Sequence, residues 1–183
     1  DGKIFSFFFY VPVRYNIDDG GTSRRILDYK NKAEYMLRDY AKHLNGILGE
    51  DFAIAVMPSS SVENNYNSAS HDTAGRLIRM ACFEGRVIYD ATRCLTRVKS
   101  ITPQHRTPGL RSEQIHLDTI KVYNPEAVAG RNVVVLDDIV TSGASLRAVS
   151  QLLRAAGATM VVCIALGRTL TLSQVISKYG SCA

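Results

Sequence analysis

The run Arg131-Asn132-Val133-Val134-Val135-Leu136-Asp137-Asp138 constrains the fold of this chain more than any other segment. Four consecutive branched apolar residues do not suit a strand with one wet face, because successive side chains point to opposite sides. They suit a strand covered on both faces, and the two acids mark where it emerges. A turn follows at 139–145, and Leu146, Val149 and Leu153 supply the inward stripe of a helix stopped by Gly157. A second apolar run, TMVVCIAL at 159–166, completes a strand–helix–strand unit. Such a unit implies a parallel sheet with helices packed on it, an α/β fold.

The rest of the chain supports this class. FAIAVM at 52–57 is a short apolar run ended by Pro58, and Val87–Tyr89 and Thr119–Tyr123 read as further strands. Leu37, Tyr40, Ala41, Leu44, Ile47 and Leu48 recur at helical spacing, with Gly46 and Gly49 near the end. Ser70 is placed to cap a second helix carrying Ala74, Leu77, Ile78 and Ala81. YNIDDGGTS at 15–23, the polar stretch 59–70 and the whole of 91–112 read as loops. The 183 residues suit one domain, expected as 1–183, with an N-terminal segment and first helix at 1–49, a core at 50–170, and a C-terminal helix and tail at 171–183.

The aromatic segment IFSFFFYVPV at 4–13 is half the length of about 20 apolar residues that a spanning helix needs. It is expected to be a buried or edge strand, with no membrane role. Cys82, Cys94, Cys163 and Cys182 form no CxxC pair, so free thiols and a cytoplasmic location are expected. His43, His71, His105 and His116 make no nucleophile or metal constellation, and none is assigned a catalytic role.

Open parallel sheets place ligands beyond the carboxyl ends of their strands. The turn Thr141-Ser142-Gly143-Ala144-Ser145 lies there and opens a helix whose first N–H groups lack intrahelical partners. With the nearby hydroxyls these groups can surround a phosphate, and the helix dipole with charge-assisted hydrogen bonds favours an anion by about 1–2 kcal/mol. Asp137 and Asp138 beside this cradle suit a ligand with a vicinal diol, or a magnesium ion held directly or through water. A ribose 5-phosphate presents both features.

The run VVVLDDIVTSGAS (133–145) resembles the phosphoribosyl-pyrophosphate (PRPP) motif of type I phosphoribosyltransferases: branched residues, two acids, two apolar residues, then Thr-Ser-Gly-small-Ser. Neither GxxxxGK[ST] nor GxGxxG is present. The resemblance implies the type I phosphoribosyltransferase fold, with a parallel core and a small N-terminal hood. It implies transfer of ribose 5-phosphate from PRPP to a nitrogenous base, with Mg2+ and release of pyrophosphate. Asp137 and Asp138 would hold the ribose hydroxyls and metal, and residues 141 to 145 the 5-phosphate. Ser59, Ser60 and Ser61 would correspond to the family's pyrophosphate loop, where a non-proline cis peptide is frequent. The family's mobile catalytic loop would fall within 91–112, whose cations are Arg93, Arg97, Lys99, Arg106 and Arg111, with no acid. Arg97 and Lys99, in its early arm, are the expected catalytic cations.

That segment alone carries a charge equal to the chain's net +5, so the basicity is concentrated where a polyanion would be covered. Nucleic acid is the less favoured partner, because no aromatic residue lies between Tyr89 and Tyr123 to stack on bases. ILDYKNK (26–32) and IALGRT (164–169) look closest to the competence-associated phosphoribosyltransferase-like proteins, whose cysteine-rich zinc segment is absent here. Type I folds are frequently dimeric, so a homodimer is expected. The alternative is a non-catalytic PRPP- or nucleotide-sensing protein on the same fold, in a regulatory or DNA-related process.

Overall fold

The computed structural model describes residues 3–101 and 113–180. Within them lie the strands β1 (Lys3–Tyr10), β2 (Phe52–Val56), β3 (Ile88–Asp90), β4 (Leu95–Arg97), β5 (Ile120–Val122), β6 (Asn132–Val140) and β7 (Met160–Thr169). The helices are α1 (Thr22–Lys30), α2 (Glu34–Ile47), α3 (Ala69–Phe83), α4 (Glu113–Thr119), α5 (Ala144–Ala155) and α6 (Leu172–Tyr179). Five strands form one sheet in the order β1-β7-β6-β2-β3, with every neighbouring pair parallel. Strands β4 and β5 pair antiparallel as a separate ribbon.

Residues Val133–Leu136 sit at the centre of the sheet and divide its two faces by alternation. Val134 and Leu136 join Ile54, Val56, Tyr29, Leu44 and Leu77 in a core beneath α1, α2 and α3. Val133 and Val135 join Ala53, Ala55, Cys163, Leu146, Val149 and Leu153 beneath α5. Each fully buried leucine in these layers contributes about 2 kcal/mol relative to exposure. Leu95 and Ile120 extend the second core into the β4–β5 ribbon. Cys82, Cys94 and Cys163 are free thiols. Among the described residues, no helix is long and apolar enough to cross a membrane.

The chain order reverses between β2 and β6, since β2 leads outward to β3 and β6 leads the other way to β7. At such a switch point the loops leaving two adjacent strands diverge to opposite faces and open a crevice. Both loops expected to bind phosphate leave the sheet here.

The aromatic segment 4–13 is the expected edge strand: β1 pairs along β7, and α1 and α2 cover one face of the sheet. Several local expectations are corrected. The loop expected at 15–23 ends earlier, because Asp19 accepts a hydrogen bond from the Ser23 amide at 2.8 Å and starts α1 at Thr22. Only Ile26 and Tyr29 of that helix are buried, too short a stripe for a periodicity argument. Ser68, not Ser70, caps α3 by accepting from the His71 amide. The loop expected through 91–112 contains β4, whose inward residues are Leu95 and an arginine, so the apolar alternation is broken. Arg106, Arg111 and His105 lie outside the described residues.

Candidate active site

The β6–α5 turn is built for close approach. Gly143 is the residue before the helix, with φ of 78°, a left-handed conformation that disfavours a side chain. A Cβ there would also meet Arg147 Nη1 and Ile4 Cδ1, each at 3.0 Å. Arg147 N donates to Gly143 O at 2.9 Å as the first helical bond, so the amides of residues 144 to 146 precede the ladder. The Ala144 amide reaches Ser142 Oγ at 3.4 Å, and Thr141 and Ser142 are exposed. Arg147 Nη1 donates to Ser142 O at 3.0 Å, while its Nε reaches Glu113 on α4. This places a cation against the outer side of the turn.

Asp137 and Asp138 follow the buried run Val133–Leu136 in β6. The Asp138 amide donates to Asp137 Oδ1 at 2.8 Å, and the Ile139 amide to Asp138 Oδ1 at 2.7 Å. Burial, then the neighbouring Asp138 charge, push the Asp137 carboxyl well above the ordinary carboxylate range. Lys30 Nζ, from the end of α1, lies 3.6 Å from Asp138 Oδ2 and acts in the opposite direction.

The β2–α3 loop forms a second wall. Its peptide bonds are trans, as are all those among the described residues. Ser59 Oγ accepts from the Ser61 amide at 3.3 Å, and Ser60 O accepts from the Ile101 amide at 2.9 Å. Arg97 fixes this loop from β4. Its guanidinium, 1% exposed, donates through Nε to Ser59 O and through Nη1 to Thr119 Oγ1, the latter at 2.7 Å. Its backbone is gripped by Asn65, which accepts from Arg97 N at 2.8 Å and donates to Arg97 O at 2.9 Å. Burial lowers the Arg97 pKa to about 10, where it remains a cation at neutral pH.

These walls enclose a cavity of about 650 Å³. Asp137, Asp138, residues 141 to 145, Ser59, Ser60 and Arg97 all line it. Ser61 and Lys99 do not; Ser61 supports Ser59 through its amide, and Lys99 is exposed. The sequence reading missed Lys30, Lys32, Asn64, Asn67, Ser68, Ser70 and His116, which also line the cavity. The lysines had a signal in the Lys30-Asn31-Lys32 turn between two helices, where Lys32 has φ of 61° and pairs with Asp72 at 3.1 Å. His116 had none, since α4 is seven residues long.

Residues 32–178 match the family model described as the phosphoribosyl transferase domain. The chain belongs to the phosphoribosyl transferase domain family. Its parallel sheet, flanked by helices, is the fold of that family. Among solved structures, it is similar to glutamine PRPP amidotransferase from B. subtilis, with 23% identity and a TM-score of 0.43 over 70% of this chain and 25% of that one. It is also similar to the allosteric regulatory enzyme of purine biosynthesis, with 21% identity and a TM-score of 0.44 over the same shares, 70% and 25%. A hypoxanthine phosphoribosyltransferase from Staphylococcus aureus shares 10% identity, with a TM-score of 0.44 over 81% of this chain and 66% of that one. This chain thus spans a quarter of the length of the first two. No curated protein sequence matches it.

Proposed function

We propose that this phosphoribosyltransferase-family chain binds PRPP with Mg2+ and transfers ribose 5-phosphate to a nitrogenous base, releasing pyrophosphate. The observation that carries this reading is the opposed polarity of one cavity: two adjacent carboxylates run directly into an open helix N-terminus on the same strand–turn–helix. The acid pair is electrostatically unfavourable alone, and a ligand bringing hydroxyl donors or a cation relieves it. The turn favours an anion. A pentose phosphate satisfies both within one molecule.

The carboxylate pair also fits magnesium. Among the described residues, no group of three or more His, Cys, Asp or Glu side chains could hold a metal. Mg2+ characteristically takes one or two carboxylates and completes its octahedron with substrate phosphates and water. Asp137 and Asp138 would supply that protein share. The metal's chemistry would be neutralisation of the developing charge on the leaving pyrophosphate.

In the proposed reaction the anomeric carbon–oxygen bond to pyrophosphate breaks, a carbon–nitrogen bond to the base forms, and the base nitrogen gives up a proton. No covalent nucleophile is needed, so the chain's task is positioning and charge stabilisation. Asp137 and Asp138 orient the ribose, residues 141 to 145 hold the 5-phosphate, and Ser59, Ser60 and Arg97 face the pyrophosphate. Within the family we assign the chain to the competence-associated group. The supporting residues are Lys30 and Lys32 of ILDYKNK, which reach the cavity, and IALGRT, which forms the body of β7.

Calorimetric titration of PRPP with and without magnesium tests the site. Wild type is expected to bind in a magnesium-dependent manner, and the Asp137→Asn/Asp138→Asn variant to lose more than about 100-fold, equivalent to roughly 2.7 kcal/mol. Equal affinity in the two proteins would overturn the assignment. Pyrophosphate release in a screen of bases then separates turnover from a ligand-sensing role.

A further inference from the structure

Lys30 reaches the acid pair from outside the strand–turn–helix that carries it. It is the last residue of α1, and its Nζ lies 3.6 Å from Asp138 Oδ2. That distance is beyond a hydrogen bond, so the contact is one of charge alone. The two side chains are 58% and 30% exposed, which leaves the ammonium hydrated and free to swing. Its root is fixed. The turn after α1 is closed by Asn31 N donating to Leu27 O at 2.9 Å, Lys32 N to Tyr29 O at 2.8 Å and Ala33 N to Asp28 O at 2.9 Å, and Tyr29 beside it is fully buried.

Lys32, two residues on, lines the same cavity but is committed to the fold: it pairs with Asp72 on α3 at 3.1 Å and donates to Asn67 Oδ1. Lys30 is committed to the acids instead. Its charge draws the Asp137 carboxyl down, against the burial and the Asp138 charge that raise it. A divalent cation on these carboxylates would lie within a few ångströms of the ammonium, and two cations at that separation repel. One has to move away. A free metal ion leaves Lys30 only water as a partner, whereas an anionic ligand brings phosphate oxygens that accept from its N–H groups.

We propose that Lys30 is the internal counter-ion of Asp137 and Asp138, holding off a free divalent cation and yielding to one that arrives with an anionic ligand. The inference rests on the reading of the cavity as a PRPP and Mg2+ site, and adds to it a control that the linear motif does not contain. A residue that opposes metal alone, but not metal with ligand, raises the coupling between the two. Metal and ligand then enter as a unit, and the acid pair stays closed to free metal.

The test is titration of Mn2+ without PRPP into wild type, Lys30→Met, Lys30→Arg and Lys32→Met, followed by the electron paramagnetic signal of the free ion. Mn2+ takes the same carboxylate ligands as Mg2+. Met keeps the length of the side chain and removes its charge, whereas Arg keeps the charge. Lys30→Met is expected to bind Mn2+ at least about tenfold more tightly than wild type, as expected when a unit charge is removed close to a divalent ion in water-like surroundings. Lys30→Arg and Lys32→Met are expected to stay within about threefold of wild type, and thermal unfolding of each variant reports intact folding. Calorimetric titration of PRPP with magnesium into the same proteins is expected to show no gain for Lys30→Met. Equal Mn2+ affinity in wild type and Lys30→Met, or binding by neither, would overturn the inference. An equal gain in Lys32→Met would overturn it too, by making the effect a general field of the cavity, as would an equal gain for PRPP. PRPP binding by wild type with no Mn2+ gain in Lys30→Met would sink the counter-ion and leave the site standing. A Mn2+ gain with no PRPP binding by wild type would instead overturn the PRPP reading, and the coupling with it.

Discussion

The two walls of the cavity are made in different ways. The acid pair and cradle occupy residues 137–145, one uninterrupted strand end, turn and helix start. The opposing wall draws Ser59 from the β2–α3 loop, Arg97 from β4 and His116 from α4, held together by Asn65 and Thr119. In the first, backbone amides and exposed hydroxyls border the cavity, and little of the fold depends on them. In the second, the side chains that face the cavity also hold three elements together. A site can therefore be divided into a part added to the fold and a part that is the fold.

The sharpest way to break that distinction is Arg97→Ala. It would leave Ser59 O and Thr119 Oγ1 without their donor and open a void at the largest fully buried side chain. The expected loss of stability is about 3 kcal/mol, from a broken buried network and a cavity. For a chain of this length that corresponds to a fall in Tm of roughly 6–12 °C. Ser142→Ala, at an exposed position of the cradle, is expected to stay within about 0.5 kcal/mol of wild type. Thermal unfolding of both variants decides the matter, and equal Tm values would show that the walls do not differ in kind.

The same division explains what was legible before the structure. The 133–145 run was legible because strand, turn and cap chemistry are local, and the residues that act together are adjacent in sequence. The parallel sheet followed from apolar runs such as 52–57 and 159–166, both of which are strands. Arg97 was found by its charge and not by its place, since an inward arginine on a three-residue strand defeats any periodic reading. Asn65 and the short helix carrying His116 were invisible, because their places are set by contacts between segments 32 and 22 residues apart. The edge strand at 4–13 was legible too, because its apolar run is too short to span a membrane, and β1 pairs along its length with β7.

Gly143→Ala probes the cradle from the backbone side and has a smaller expected effect. The φ of 78° costs a residue with Cβ about 1–2 kcal/mol, and the new atom would press on Arg147 and Ile4. Ribose 5-phosphate affinity is expected to fall more than pyrophosphate affinity, because the strain acts on the amides of the turn. Titration of each ligand checks this, and equal losses would mean that the two walls move together.

The smallest effect concerns the electrostatic cost of the acid pair, and its pH dependence distinguishes that cost from packing. Asp137 has a carboxyl held above its ordinary range by burial and by Asp138. A carboxyl whose folded pKa exceeds its unfolded value favours the folded state below the unfolded pKa, and that contribution is lost as pH rises through the folded pKa. Asp137→Asn removes the titration while its side-chain oxygen can still accept from the Asp138 amide. Without ligand or magnesium, the variant is therefore expected to match wild type near pH 4, the ordinary carboxylate range. As pH rises through the raised Asp137 pKa it should become the more stable protein, with the higher Tm. A Tm difference independent of pH would place the effect in packing and not in charge. A variant that gains stability with pH while losing PRPP affinity would show that the fold tolerates an unfavourable acid pair that the ligand relieves, whereas the opposing wall stabilises the fold through the same residues that face the ligand.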